Sequence, residues 1–159
     1  MKHDVFAKWL KVVIAGTTMI GLTCCAYVIP QAGKILAGRY PEYSYWILPW
    51  EIVLWITSVP VFVAMVIAWV IASNIEKDNS FTGTNAKLFK IFSLLALGDS
   101  IFFLLASIVF WIIGMNEAGL LFIDLLIVFI GLAIFVCTSA ISYLVDKAAR
   151  LQEDSDLTI

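Results

Sequence analysis

The stretch IFSLLALGDSIFFLLASIVFWII, residues 91–113, decides the fold. It holds twenty-three residues and one charged side chain, Asp99. An amphipathic helix at the surface of a soluble domain carries a polar face that returns every third or fourth residue, and none returns here. At about 1.5 Å per residue the run is about 35 Å long, enough to cross a hydrocarbon layer of about 30 Å. Asp99 therefore falls near the middle of a membrane span, where an ionised carboxylate is costly.

The rest of the chain agrees with that reading. Of its 159 residues, 62% are hydrophobic and 14% are charged, against about 25% charged in an average soluble domain. Too little polar surface remains to cover a soluble globule, and a single domain suits the length. The net charge of −2 leaves no basic footprint for nucleic acid. One histidine, His3, gives a His-based metal site or a Ser-His pair little to build on. The chain has no G-x-S-x-G elbow, phosphate-cradling glycine loop or H-E-x-x-H helix. No catalytic residue, metal or cofactor is expected, and the protein is not expected to be an enzyme.

Three further runs have the same apolar character. The first is residues 9–29, WLKVVIAGTTMIGLTCCAYVI. Its basic start also fits a signal peptide, and Cys24 invites a lipoprotein reading. Gly21, Leu22 and Thr23 match the residues before a lipidated Cys poorly, so an uncut helix is expected. Pro30 and Gly33 are expected to end it. Cys24, Cys25 and Cys137 lie in apolar runs and read as small buried side chains without a disulfide. Residues 31–45 are polar and broken by Pro41, with room for a short surface helix. Tyr40, Tyr43, Tyr45, Trp46 and Trp50 there resemble an interfacial aromatic belt.

The second span covers about residues 46–73, with Pro60 inside as a kink point. Ala64, Ala68 and Ala72 form a small-xxx-small ridge that would admit a close neighbour, whether another helix or a second copy of the chain; the plain alternative is that they face lipid. Residues 76–90 are the largest polar break, and Thr84 or Asn85 is expected to cap the helix that follows. The link at residues 114–119 is short enough to return the chain at once. The fourth span covers about residues 120–145 and leads into a short tail, residues 146–159. Eight of the ten basic residues fall on one side if both termini face the cytoplasm. The expected fold is an all-α integral membrane protein: an antiparallel four-helix bundle, N-in and C-in, in the inner (plasma) membrane.

Three acids lie within spans, Glu51, Asp99 and Asp124, with no basic residue at their depth. Glu51 and Asp124 fall near the outer surface and Asp99 deeper. One reading makes them a polar site for a proton, a cation or a cationic ligand. The other makes Asp99 a hydrogen-bonding link between helices, for which Ser100, Ser107, Thr17 and Thr18 are candidate partners. Glu51 and Asp124 then simply reach the wet interface.

Two segments, NSFTGTNAKLFKIFSLLALGD and LVDKAARLQEDSDLTI, together with four spans at this length, resemble the bacterial membrane proteins grouped as domain of unknown function 2975. The family's Phe, Ser/Thr and Asn before the third span match Phe81, Thr82 and Asn85. Its Asp-Leu-Thr-Ile ending matches Asp156, Leu157, Thr158 and Ile159, with Ser155 where Asn is common. Family members are often encoded beside a small helix-turn-helix regulator, which implies a membrane partner for a cytoplasmic transcription factor. An acidic tail with an apolar tip, from Glu153 and Asp154 through Asp156, Leu157, Thr158 and Ile159, could then dock on a basic protein, with Phe81 beside it; the plain alternative is a frayed end. The expected function is sensing or signalling through such a regulator. The alternative is a small ion-coupled transporter or permease subunit using Asp99. A third possibility is an immunity or structural subunit that associates through the alanine ridge.

Overall fold

A computed structural model describes the backbone of residues 2–156 and the side chains of residues 5–155. Every regular element among them is helical. In order these are α1 (Lys2–Thr23), a π-helical segment (Cys24–Val28), α2 (Ile29–Arg39), a 3-10 turn (Pro41–Tyr43), α3 (Ser44–Glu76), α4 (Gly83–Ile112) and α5 (Ala118–Asp156). Four stretches are long and apolar enough to cross a membrane: Val5–Arg39, Pro41–Glu76, Gly83–Ile112 and Ala118–Ser155. Their outward surfaces carry large apolar side chains such as Trp9, Ile20, Phe122 and Ile130, all well exposed. Lipid is the solvent that suits such a surface.

Pro30 does not end the first helix, contrary to the sequence expectation. Proline lacks an N–H and its ring crowds the carbonyl four residues back. The chain absorbs both effects by widening one turn ahead of it: Cys24–Val28 is π-helical, and the Ile29 N–H reaches back to the Cys24 carbonyl. Helix then resumes through Pro30 and buried Gly33 to Arg39, so residues 31–39 extend the first rod. The polar break shrinks to Tyr40 and the 3-10 turn. Tyr43 and Trp46 pack there with ring centroids 4.6 Å apart and planes tilted by 46°.

The two helix ends near the loops share one device. At the end of α4, Gly114 takes φ +73°, its N–H bonds the Trp111 carbonyl, and the Met115 N–H bonds that of Phe110. At the end of α3, Asp78 takes φ 61°, with Asp78 N–H to Ile75 and Asn79 N–H to Asn74. Both are Schellman closures, one with the usual glycine and one with an aspartate in the left-handed position. The cap of α4 is Thr82, whose side chain accepts from the Asn85 N–H, not Thr84 or Asn85 as expected. α3 runs through Pro49 and Pro60 without interruption.

Contacts fix which helices are neighbours. Lys11 meets Glu76 at 2.5 Å, the Phe62 ring covers Gly21, and Glu51 and Ile47 cover Gly33. Between α4 and α5, the Ser142 hydroxyl donates to the Ala86 carbonyl at 2.7 Å, and Ser100 covers Gly131. Val53, Phe103 and Val128 form a buried layer joining α3, α4 and α5, with Trp50, Leu104 and Phe110 packed against it.

Candidate functional site

Asp99 projects into a cleft of about 600 Å³ lined by residues of α1, the π segment, α3, α4 and α5. Its carboxylate is only partly buried as a residue, yet its Oδ1 atom is shielded and accepts no hydrogen bond among the described residues. Five hydroxyl residues, Thr17 among them, also line the cleft, and four of them are turned to their own helices. Thr18 donates to Ile14, Thr57 to Leu54, Ser58 to Trp55 and Ser100 to Ala96, each to a carbonyl of its own helix. Phe62, Phe92 and Phe103 complete an otherwise apolar wall. Ser100, an expected partner of Asp99, is therefore not its donor.

Glu51 and Asp124 do not line this cleft. The Oε1 atom of Glu51 occupies the space that a β-carbon on Gly33 would need, so the carboxylate lies directly on the backbone of α2. Asp124 is 6% exposed and accepts from the Asn116 side-chain amide at 2.8 Å. Its partner Asn116 is equally buried and also accepts from the Glu117 N–H at 3.0 Å. Asp124 thus braces the link between α4 and α5 instead of reaching the wet interface. Trp50 joins the same link, its indole N–H donating to the Met115 carbonyl at 3.0 Å.

The α4–α5 seam has its own logic. Ser93, Ser100 and Ser107 are buried on α4 at intervals of seven, the spacing that keeps residues on one side of a supercoiled pair. Small side chains there allow close backbone approach, as Ser100 against Gly131 illustrates. The heptad was visible in the sequence as a repeat of serines. The alanine ridge is also used inside the chain: Ala64 and Ala72 are buried and Ala68 partly so. This leaves little of the ridge for a second copy.

A second cleft, of about 390 Å³, opens where the loop after α3 meets the end of α5. Asp78, Asn79, Phe81 and Thr82 line one side, and Ala149, Gln152 and Glu153 the other. One residue holds this loop. Asn85 is fully buried; its side-chain amide donates to the carbonyls of Asn79 (2.9 Å) and Ser80 (3.0 Å), and its Oδ1 accepts from Asn74 (2.6 Å). Phe81, beside it, is 58% exposed. Glu153 and Asp154 lie on the exposed last turns of α5. Only the backbone of Asp156 is described, and Leu157, Thr158 and Ile159 lie outside the described residues.

These features define an all-helical, multi-pass membrane protein with a largely apolar cleft between its spans that holds one acid. The chain belongs to the protein family of unknown function DUF2975, whose pattern matches residues 31–159. It is also similar to the uncharacterized membrane protein YoaS of Bacillus subtilis (strain 168). The two are 26% identical over 157 residues, 98% of this chain and 96% of the relative. No solved structure matches.

Proposed function

We propose that this is a non-catalytic bacterial inner-membrane protein that holds a cytoplasmic helix-turn-helix regulator at the membrane. Its spans run antiparallel and both termini face the cytoplasm. The contact pairs support the arrangement: as residue numbers rise along α1, they fall along its partner α3, and α4 and α5 behave alike. Orientation is supported by the eight lysines and arginines that this arrangement gathers on one side.

The observation that carries the regulator reading is the cleft between the loop and the end of α5. It joins, in space, the two segments that carry the family likeness. The loop is held by Asn85, so the surface is formed in advance of any partner. An exposed Phe81 between Asp78 and Glu153 offers an apolar anchor flanked by acids. DNA-binding domains are basic, and such a patch complements them.

The test is co-sedimentation with membranes of the small helix-turn-helix regulator that this reading requires, sought as the product of a neighbouring gene. Phe81→Ser and deletion of residues 152–159 should each release it to the soluble fraction. Unchanged sedimentation in both variants removes this reading. The Asp99 cleft favours a second one, an ion-coupled permease, in which Asp99→Asn abolishes flux in proteoliposomes. Absence of flux with the parent protein removes that reading.

A further inference from the structure

We infer that the Asp99 cleft is a binding site for an amphipathic monocation, with an ammonium head on the carboxylate and a compact apolar body against Phe62, Phe92 and Phe103. This is independent of the regulator reading. Four observations carry it. The cleft, about 600 Å³, lies within the range of small-molecule sites. Its wall contains one acidic side chain and, among the described residues, no lysine, arginine or histidine. The Oδ1 atom of that acid is sheltered and lacks a donor. Of the five hydroxyl residues in the wall, Thr18, Thr57, Ser58 and Ser100 donate to their own helices, and Thr17 makes no hydrogen bond to Oδ1.

The wall selects the chemistry of the occupant. Divalent ions such as calcium demand six to eight oxygen ligands, and the described residues hold no group of three acidic, cysteine or histidine side chains that could bind a metal. An anion would meet only a carboxylate. A neutral apolar molecule would leave Oδ1 as bare as before, and a sheltered polar atom without a partner is costly. An ammonium group supplies both the N–H and the positive charge. Aromatic faces within about 6 Å add attraction for a cation, and three phenylalanines line the wall.

The wall also includes a widened turn. Cys24 and Cys25 of the π segment line the cleft. Widened turns of this kind recur at functional sites.

Tritiated 1-adamantylamine is the probe, added to the full-length protein in lipid nanodiscs, with protein-free nanodiscs as the partition control. The expected result is saturable binding at one site per chain, not displaced by the neutral 1-adamantanol. Asp99→Asn should weaken it by about tenfold or more, and the exposed Asp146→Asn should leave it unchanged. If Asp99→Asn does not fold, the parent protein still decides the matter. The amine should slow modification of Asp99 by dicyclohexylcarbodiimide, read by mass on the peptide. Binding no greater than to empty nanodiscs, equal displacement by the alcohol, or an unprotected Asp99 overturns the inference.

Discussion

The indole N–H of Trp55 donates to the backbone carbonyl of Cys25 at 3.2 Å. This bond answers a specific vacancy. In an α-helix the Cys25 carbonyl would take the Ile29 N–H, but that N–H goes to Cys24. In the π register its donor would be residue 30, which is proline. A side chain from α3 supplies what the backbone of the first rod cannot. Trp55→Phe should therefore destabilise the protein by about 0.5–1.5 kcal/mol. The same substitution in a Pro30→Ala background should cost less, because the helix can then satisfy Cys25 itself. Unfolding midpoints of the four proteins in detergent check this as a double-mutant cycle.

Gly131 has no room for a methyl group, since Ser100 Oγ fills the position its β-carbon would take. Gly131→Ala should cost about 1–3 kcal/mol by overpacking, outweighing the roughly 1 kcal/mol that alanine gains in helix propensity. Adding Ser100→Gly should recover most of the loss. Thermal unfolding of the single and double variants provides the comparison.

Asp78 sits at φ 61°, where glycine is preferred. Asp78→Gly should raise stability by about 1 kcal/mol, in line with the cost of left-handed backbone for other residues. Asn85→Ala should act in the opposite direction on the same loop, removing the donor to two carbonyls and the acceptor for Asn74. Hydrogen exchange at residues 77–85 should slow in the first variant and quicken by about tenfold or more in the second, a loss of about 1–3 kcal/mol.

Asn116 is the described donor to a buried carboxylate. Asn116→Ala should destabilise by about 1–3 kcal/mol, because Asp124 stays buried without its partner. Asn116→Ala with Asp124→Leu should recover part of that, since the orphaned group is gone. Urea or SDS unfolding in mixed micelles measures both.

Apolar runs made the membrane class legible in the sequence, because hydrocarbon imposes length and composition together. The basic-residue count carried the proposed orientation in the same way. Pro30 was misread because proline usually stops a helix, and its compensation lies twenty-five residues away on Trp55. The bond that Asp124 accepts was not legible, because its partner, Asn116, sits in a six-residue link that has no periodicity to reveal it. Asp99 stands out in the sequence as an isolated acid, and the fold places it on a cleft. Four of the hydroxyls lining that cleft are turned to their own helices, an orientation that no spacing rule encodes. The serine heptad on α4 was there to be read, and it describes packing more than chemistry.

The 39 residues of α5 continue unbroken into the segment that reads as a polar tail. At about 1.5 Å per residue that rod is about 60 Å long, twice the hydrocarbon thickness. Its far half behaves as a stiff lever. A tilt of about ten degrees in the lipid would sweep the tip sideways by about 5 Å. The second cleft lies along that lever arm, between Phe81 and Glu153. Small rearrangements among the spans would thus reach the aqueous face enlarged, with no joint to absorb them on the way.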